Sequence, residues 1–136
     1  MKRPEPGAQQ LTDEDYDRLL GFRDGLRRFL HWSEQQALDA GMTSAQHQLL
    51  LAIRGHGSTP SMSDIAAHLM LKHHSAVELV DRAAKAGLVR RLQDASDQRV
   101  VRVELAAAGQ RKLRTLARAH LEELSRMGTE FAPMWS

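Results

Sequence analysis

Residues 88–105, LVRRLQDASDQRVVRVEL, constrain the fold more than any other stretch of the chain. Val101, Val103 and Leu105 alternate with Val100, Arg102 and Glu104, the period-two pattern of a half-buried strand. Leu88 to Gln93 reads as its antiparallel partner, and Asp94 to Gln98 as a flexible polar tip. Two short helices joined by a tight turn lead directly into this hairpin. The first begins at a Ser63 cap and buries Ile65, Ala66 and Leu69. After a break at Met70 to Lys72, the second runs from about His73 to Ala86 and turns Ala76, Leu79, Val80 and Ala83 inward. Gly87 closes it in the left-handed conformation. Ala66 and Ala67 are small, as two helices crossing at a tight turn require. Met62 stands alone in a Ser/Thr/Pro linker and is expected to pair weakly with the hairpin as a third strand.

Helical periodicity accounts for the rest. A helix over 13–40 carries Tyr16, Leu19, Leu20, Phe22, Leu26, Phe29 and Leu30 on one face, with Thr12 or Asp13 as its cap and Gly41 as its stop. A second helix starts at Thr43, which has capping-box spacing to Gln46, and ends at Gly55 and Gly57. A last helix begins near Ala107, where Ala106 is a poor cap. It carries a stripe of Leu113, Leu116, Ala117, His120, Leu121 and Leu124, and Phe131 to Ser136 is expected to form a short packing tail. With 136 residues and 42% hydrophobic content the chain suits one domain. The expected fold is mainly α with a small β-hairpin. Residues 43–105 form a compact lobe, and the helices over 12–40 and 107–130 are left with apolar stripes. Either those stripes close a monomeric bundle or they pair two copies as an isologous homodimer, the arrangement favoured here.

Charge is distributed unevenly. The net charge is only +2, but residues 70–118 hold 11 Lys/Arg against 5 Asp/Glu, while the segments on either side are each slightly acidic. A centred positive field attracts phosphate and releases counterions on binding. Arg90, Arg91, Arg99 and Arg102 on or beside the hairpin turn make double-stranded DNA a candidate partner. The bland alternative is an ordinary surface hairpin with solvated arginines. The chain has no cysteine, which excludes disulfides, thiolate metal sites and cysteine redox sensing. No apolar run reaches the roughly 18 residues that span a membrane. Met1 to Gln10 is polar, carries Pro4, Pro6 and Gly7 and lacks the apolar core of a signal peptide, so it is expected to be the frayed end of a cytoplasmic protein.

Seven histidines raise the question of a metal. His68, His73 and His74 are close in sequence, but the His73–His74 pair diverges on a helix and no His-x3-His pair with a nearby carboxylate stands out. No metal and no cofactor are expected. Ser and His are present without a nucleophile elbow, a glycine-rich phosphate loop or a paired-carboxylate motif, so no catalytic site is expected either.

The order of helices and hairpin, Val77-Glu78-Leu79-Val80-Asp81-Arg82, Ala86-Gly87-Leu88-Val89-Arg90-Arg91, Asp97-Gln98-Arg99 and Val103-Glu104-Leu105 with Ala108-Gly109 resemble the MarR family of winged helix-turn-helix regulators, over residues 12–125. The resemblance implies a dimeric transcription regulator, a repressor in most members, with dimerisation helices at both ends. It also implies release of DNA when a small aromatic or phenolic ligand binds. It makes the helix from His73 the recognition helix, with His73, His74, Ser75 and Glu78 towards the major groove and Arg82 a turn further on. Arg99 becomes the wing arginine that enters a minor groove, Asp97 its brace, and Arg90 and Arg102 phosphate contacts; Arg91 falls on the hairpin's inner side. His31, Trp32 and His47 become candidates for an effector pocket, or Trp32 packs in the dimer core. Glu78 departs from the family pattern. Either it accepts from a cytosine amino group or it pairs with Arg82, four residues on, the pairing favoured by spacing. Glu78 also keeps open a winged-helix protein-interaction module without DNA binding.

Overall fold

Where the helices begin is set by three reciprocal capping boxes. Thr12 with Asp15, Thr43 with Gln46 and Ser61 with Asp64 each exchange two bonds: the cap hydroxyl accepts the third residue's N–H, and that residue's side chain accepts the cap N–H. The computed structural model describes residues 10–135, with side chains as far as residue 128. Its elements are α1 (Asp13–Asp39), α2 (Ser44–Gly55), α3 (Met62–Leu69), α4 (His73–Lys85), β1 (Val89–Gln93), β2 (Val101–Leu105) and α5 (Ala107–Trp135).

One cap differs from expectation. The α3 cap is Ser61 and not Ser63, because only Ser61 has an acceptor side chain, Asp64, three residues on. Met62 therefore enters the helix and is buried. Pairing with the hairpin shifts to its neighbours: Ser61 bridges Arg102, and the Val103 N–H donates to the Pro60 carbonyl at 2.9 Å. The expected packing tail differs too, since the backbone stays helical through Trp135. The contacts of that tail, and the expected fraying of the first nine residues, lie outside the described residues.

Helix ends are closed by left-handed residues. At Gly41 (φ +80°) the Met42 N–H reaches the Ala37 carbonyl and the Gly41 N–H that of Leu38, satisfying two orphan acceptors. Gly87 repeats this closure after α4. After α3 the same role falls to Met70 at φ +55°, with the Leu71 N–H on the Ala66 carbonyl. A side chain in this region costs about 1–2 kcal/mol, and Met70 is 92% exposed, so it loses little packing if removed. Met70→Gly is expected to raise stability by about 0.5–1 kcal/mol after glycine's extra unfolded entropy is subtracted. A lower denaturant midpoint for the variant would show that Met70 packs on something that matters.

The hairpin pairs β1 with β2 antiparallel, Val89 opposite Leu105 and Arg91 opposite Val103. Its inner residues Val89 and Val103 join Leu49, Leu50, Ile65 and Val80 in one core that α5 covers with Leu113 and Leu116. In contrast, α1 buries only Gly25 and Ala37. Tyr16, Leu19, Leu20 and Leu30 on α1 and Leu121 on α5 are each more than half exposed. The two terminal helices therefore carry an apolar surface that the other described residues leave uncovered.

Candidate nucleic-acid interface

The N-terminus of α4 and the hairpin tip open on the same face. His73 and Val77 of α4, Arg91 of β1, Arg99, and Ser61 to Ser63 at the start of α3 line one open cleft of about 310 Å³. His73, His74, Glu78 and Arg82 are exposed and Ser75 half-buried. Lys72, the residue before α4, makes no side-chain cap bond, so the first N–H groups of the helix are left to other partners. Glu78 and Arg82 form no ion pair among the described residues, contrary to the pairing that their spacing favours.

The tip is a built turn. Asp94 Oδ2 accepts the Ser96 N–H at 3.0 Å, the Ser96 hydroxyl at 2.7 Å and the Asp97 N–H at 2.9 Å. The backbone closes with the Asp94 N–H on the Val100 carbonyl and the Val100 N–H on the Asp97 carbonyl. Asp97 accepts the Arg99 N–H at 3.0 Å and its Nε at 3.2 Å. Arg99 thus projects with a 90% exposed side chain while its root is held. The Arg99 guanidinium keeps the Asp97 carboxyl below the usual carboxylate range.

The other hairpin arginines separate. Arg90 lies on the outer face in a 3.2 Å cross-strand pair with Glu104. Arg91 pairs with Asp81 and ties the hairpin to α4. Arg102, expected as a phosphate contact, is turned inward: its Nε donates to Asp94 Oδ1 and its Nη1 to the Thr59 carbonyl at 3.0 Å. The organising role of Asp94 was missed by sequence reasoning. Asp94-x-Ser96 has Asx-turn spacing, a signal that was available.

Away from this face, Trp32 of α1 and His47 of α2 meet around His120 of α5, whose ring centroid lies 4.8 Å from each. His31 is exposed and makes no ring contact with them. His120, read from the sequence only as part of the α5 stripe, is the centre of the cluster. The Leu116 carbonyl accepts from its Nδ1 at 2.7 Å, so in the neutral ring Nε2 accepts from the Ser33 hydroxyl at 2.6 Å. Burial, and then repulsion from His120, push the His47 imidazole below its usual value. The folded state therefore binds a proton at His47 less readily than the unfolded chain does. As pH falls through about 6.5 the unfolded chain takes up a proton first, so stability drops toward the lower folded value. His47→Gln is expected to flatten the melting temperature between pH 7 and pH 5. An equally steep fall in the variant would place the titration elsewhere.

His56 and His68 lie 3.0 Å apart, nitrogen to nitrogen, with Asp64 at 3.5 Å from His56. Among the described residues no group of three or more His, Cys, Asp or Glu is gathered for a metal ion. No described helix is long and apolar enough to cross a membrane.

The MarR family model matches residues 40–100, from the end of α1 through the hairpin tip. No curated protein matches the sequence. Several solved structures are similar. AbsC, a MarR family transcriptional regulator from Streptomyces coelicolor, is 23% identical with a TM-score of 0.70, over 93% of this chain and 95% of that one. A mutant of MepR from S. aureus, bound to an oligodeoxyribonucleotide, is 20% identical with a TM-score of 0.68, over 88% and 84%. Bordetella bronchiseptica BpsR, whose DNA binding is regulated by 6-hydroxynicotinic acid, is 22% identical with a TM-score of 0.63, over 81% and 80%. At these identities the likeness establishes the fold.

Proposed function

We propose that this chain, which the MarR family model matches over residues 40–100, is a sequence-specific DNA-binding transcription regulator and not an enzyme. The observation that carries this reading is the shared face of α4 and the wing, where His73 and Arg99 line one cleft. The helix enters the major groove and presents His73, His74, Ser75 and Glu78 to base edges. Arg99 reaches the flanking minor groove, where a narrow groove concentrates negative potential. Arg82 and Arg90 contact phosphates. The DNA-bound MepR structure supports the partner assigned to this fold.

The protein acts as a homodimer, with the exposed apolar residues of α1 and α5 paired across a two-fold axis. Two recognition helices then read half-sites of a pseudo-palindrome about one helical turn apart, near 34–36 Å. In the regulatory role proposed here it is a repressor released by a small aromatic or phenolic effector. The regulation of BpsR by an aromatic acid supports this. The Trp32–His47–His120 junction is the proposed effector region, because it joins both terminal helices to α2. An effector acts there only through different affinities for the two spacings of the recognition helices.

One observation favours a second reading, a winged-helix module that binds protein: Glu78 is exposed on the reading face without an ion pair among the described residues. Selection of genomic fragments by the purified protein separates the two. Enrichment of a short inverted repeat is the expected result. Absence of any enriched sequence overturns the DNA-binding reading.

A further inference from the structure

Arg102 sits at the root of the wing turn. It lies on β2 opposite Leu92, half-buried, and bridges two parts of the chain that are far apart in sequence. Its Nε holds Asp94 at the root of the wing turn, and its Nη1 holds the Thr59 carbonyl in the loop entering α3. The backbone beside it is fixed to the same loop by the Ser61–Arg102 bridge and the Val103–Pro60 bond. From Asp94 the contacts continue outward. Its second oxygen holds Ser96 and the Asp97 N–H, and the Asp97 carboxylate holds Arg99. One unbroken path therefore runs from the α3 loop to the wing tip.

We propose that Arg102 is a positioning residue for DNA recognition: it locks the wing turn, through Asp94, to the loop before α3, and so fixes the direction of Arg99 relative to α4. The inference rests on the DNA-binding reading of Arg99. A wing ordered in advance loses less conformational freedom when it enters a groove than one that orders on contact. The geometry also explains why arginine stands here. Two acceptors in different directions need the planar fork of a guanidinium, and a lysine ammonium satisfies them poorly. The Asp94 carboxyl is held far below the usual carboxylate range, by Arg102 first and by the Ser96 and Asp97 donors after it, so the pair stays ionised at any pH where binding is measured.

The test uses the full chain with Arg102→Lys, Arg102→Gln and Asp94→Asn, and two readouts. The first is affinity for the selected DNA as a function of salt. The second is amide hydrogen exchange at Ser96 and Asp97 in the absence of DNA. Loss of the lock on both wings of a dimer is expected to weaken binding about tenfold at every salt concentration. The salt slope should stay that of the wild type, with Arg102→Lys as impaired as Arg102→Gln. Ser96 and Asp97 amides should exchange faster in both Arg102 variants. A direct phosphate role gives a different pattern: Arg102→Lys keeps the wild-type affinity, and Arg102→Gln lowers the slope by about 0.9 for each phosphate no longer neutralised. That pattern, or unchanged affinity and exchange in all variants, overturns the assignment. Should Arg102→Gln unfold, Asp94→Asn removes the same lock from the other side and decides the question. Wild-type protein with no salt-dependent DNA affinity overturns the DNA-binding reading itself, an outcome distinct from failure of the Arg102 variants alone.

Discussion

Arg99→Ala is expected to lower operator affinity about 100-fold while leaving the melting temperature within a degree or two. The two halves of that expectation come from different facts. Among the described residues Arg99 is bound only through Asp97, on an exposed turn, so its loss removes no buried contact there. An exposed ion pair contributes at most about 1 kcal/mol to folding. In the proposed DNA complex the same guanidinium leaves water for a groove of concentrated negative potential. About 1.4 kcal/mol per groove contact, in the lower part of the usual range of about 1–3 kcal/mol, doubled by the two wings of a dimer, gives the hundredfold loss. Isothermal titration and calorimetric melting of the variant check both halves. Undiminished affinity at physiological salt would remove the wing from the interface.

Gly109→Ala is expected to be the most damaging small substitution in the fold, costing about 3 kcal/mol and lowering the melting temperature by about 10 °C. Gly109 lies in the first turn of α5 against Leu88, in the turn between α4 and β1. A Cβ built there would stand 2.1 Å from the Leu88 carbonyl oxygen and 3.0 Å from its carbon. That carbonyl cannot swing away cheaply, since it accepts the Ala106 N–H at 2.9 Å. Leu88 is itself anchored by its own N–H on the Ala83 carbonyl and by burial of its side chain. Moving α5 outward instead would uncover Leu113 and Leu116, which close the core. Gly128 provides the control on the same helix. Among the described residues nothing lies within 4 Å of a Cβ there, and Gly128→Ala should stabilise by about 0.5–1 kcal/mol. Equal midpoints for the two variants would mean that α5 does not seat on Leu88 as described.

The parts of this architecture that could be read from the sequence are those fixed by local rules. Thr43 with Gln46, Gly41 and Gly87 each declare a helix end through a hydrogen bond or a backbone angle made within a few residues. The alternation ending at Leu105 declares β2 for the same reason. The Ser61 cap was equally local, but Ser63 competes with it in sequence and only the reciprocal bond of Asp64 decides. Arg102 shows the other limit. Its partners are eight residues and 43 residues away, and no periodicity announces Thr59. A count of arginines on a hairpin therefore cannot divide the exposed Arg99 from Arg102, which is held by Asp94 and Thr59. The Glu78–Arg82 spacing failed in a related way, because an exposed pair four residues apart gains only a few tenths of a kcal/mol and both side chains remain solvated. His120 was visible as a stripe residue, but its meeting with Trp32 and His47 depends on how three helices cross.

Binding of the proposed dimer to the phosphate-lined grooves of DNA, through α4 and the wing, makes its affinity depend on salt. The most direct measurement is the affinity of the purified protein for its selected DNA across a salt series. A dimer making about 6–10 phosphate contacts loses roughly 10³-fold or more in affinity between 50 and 200 mM salt, and log affinity falls linearly with log salt. That steep linear fall is the predicted result. A flat response across the same range would contradict the account.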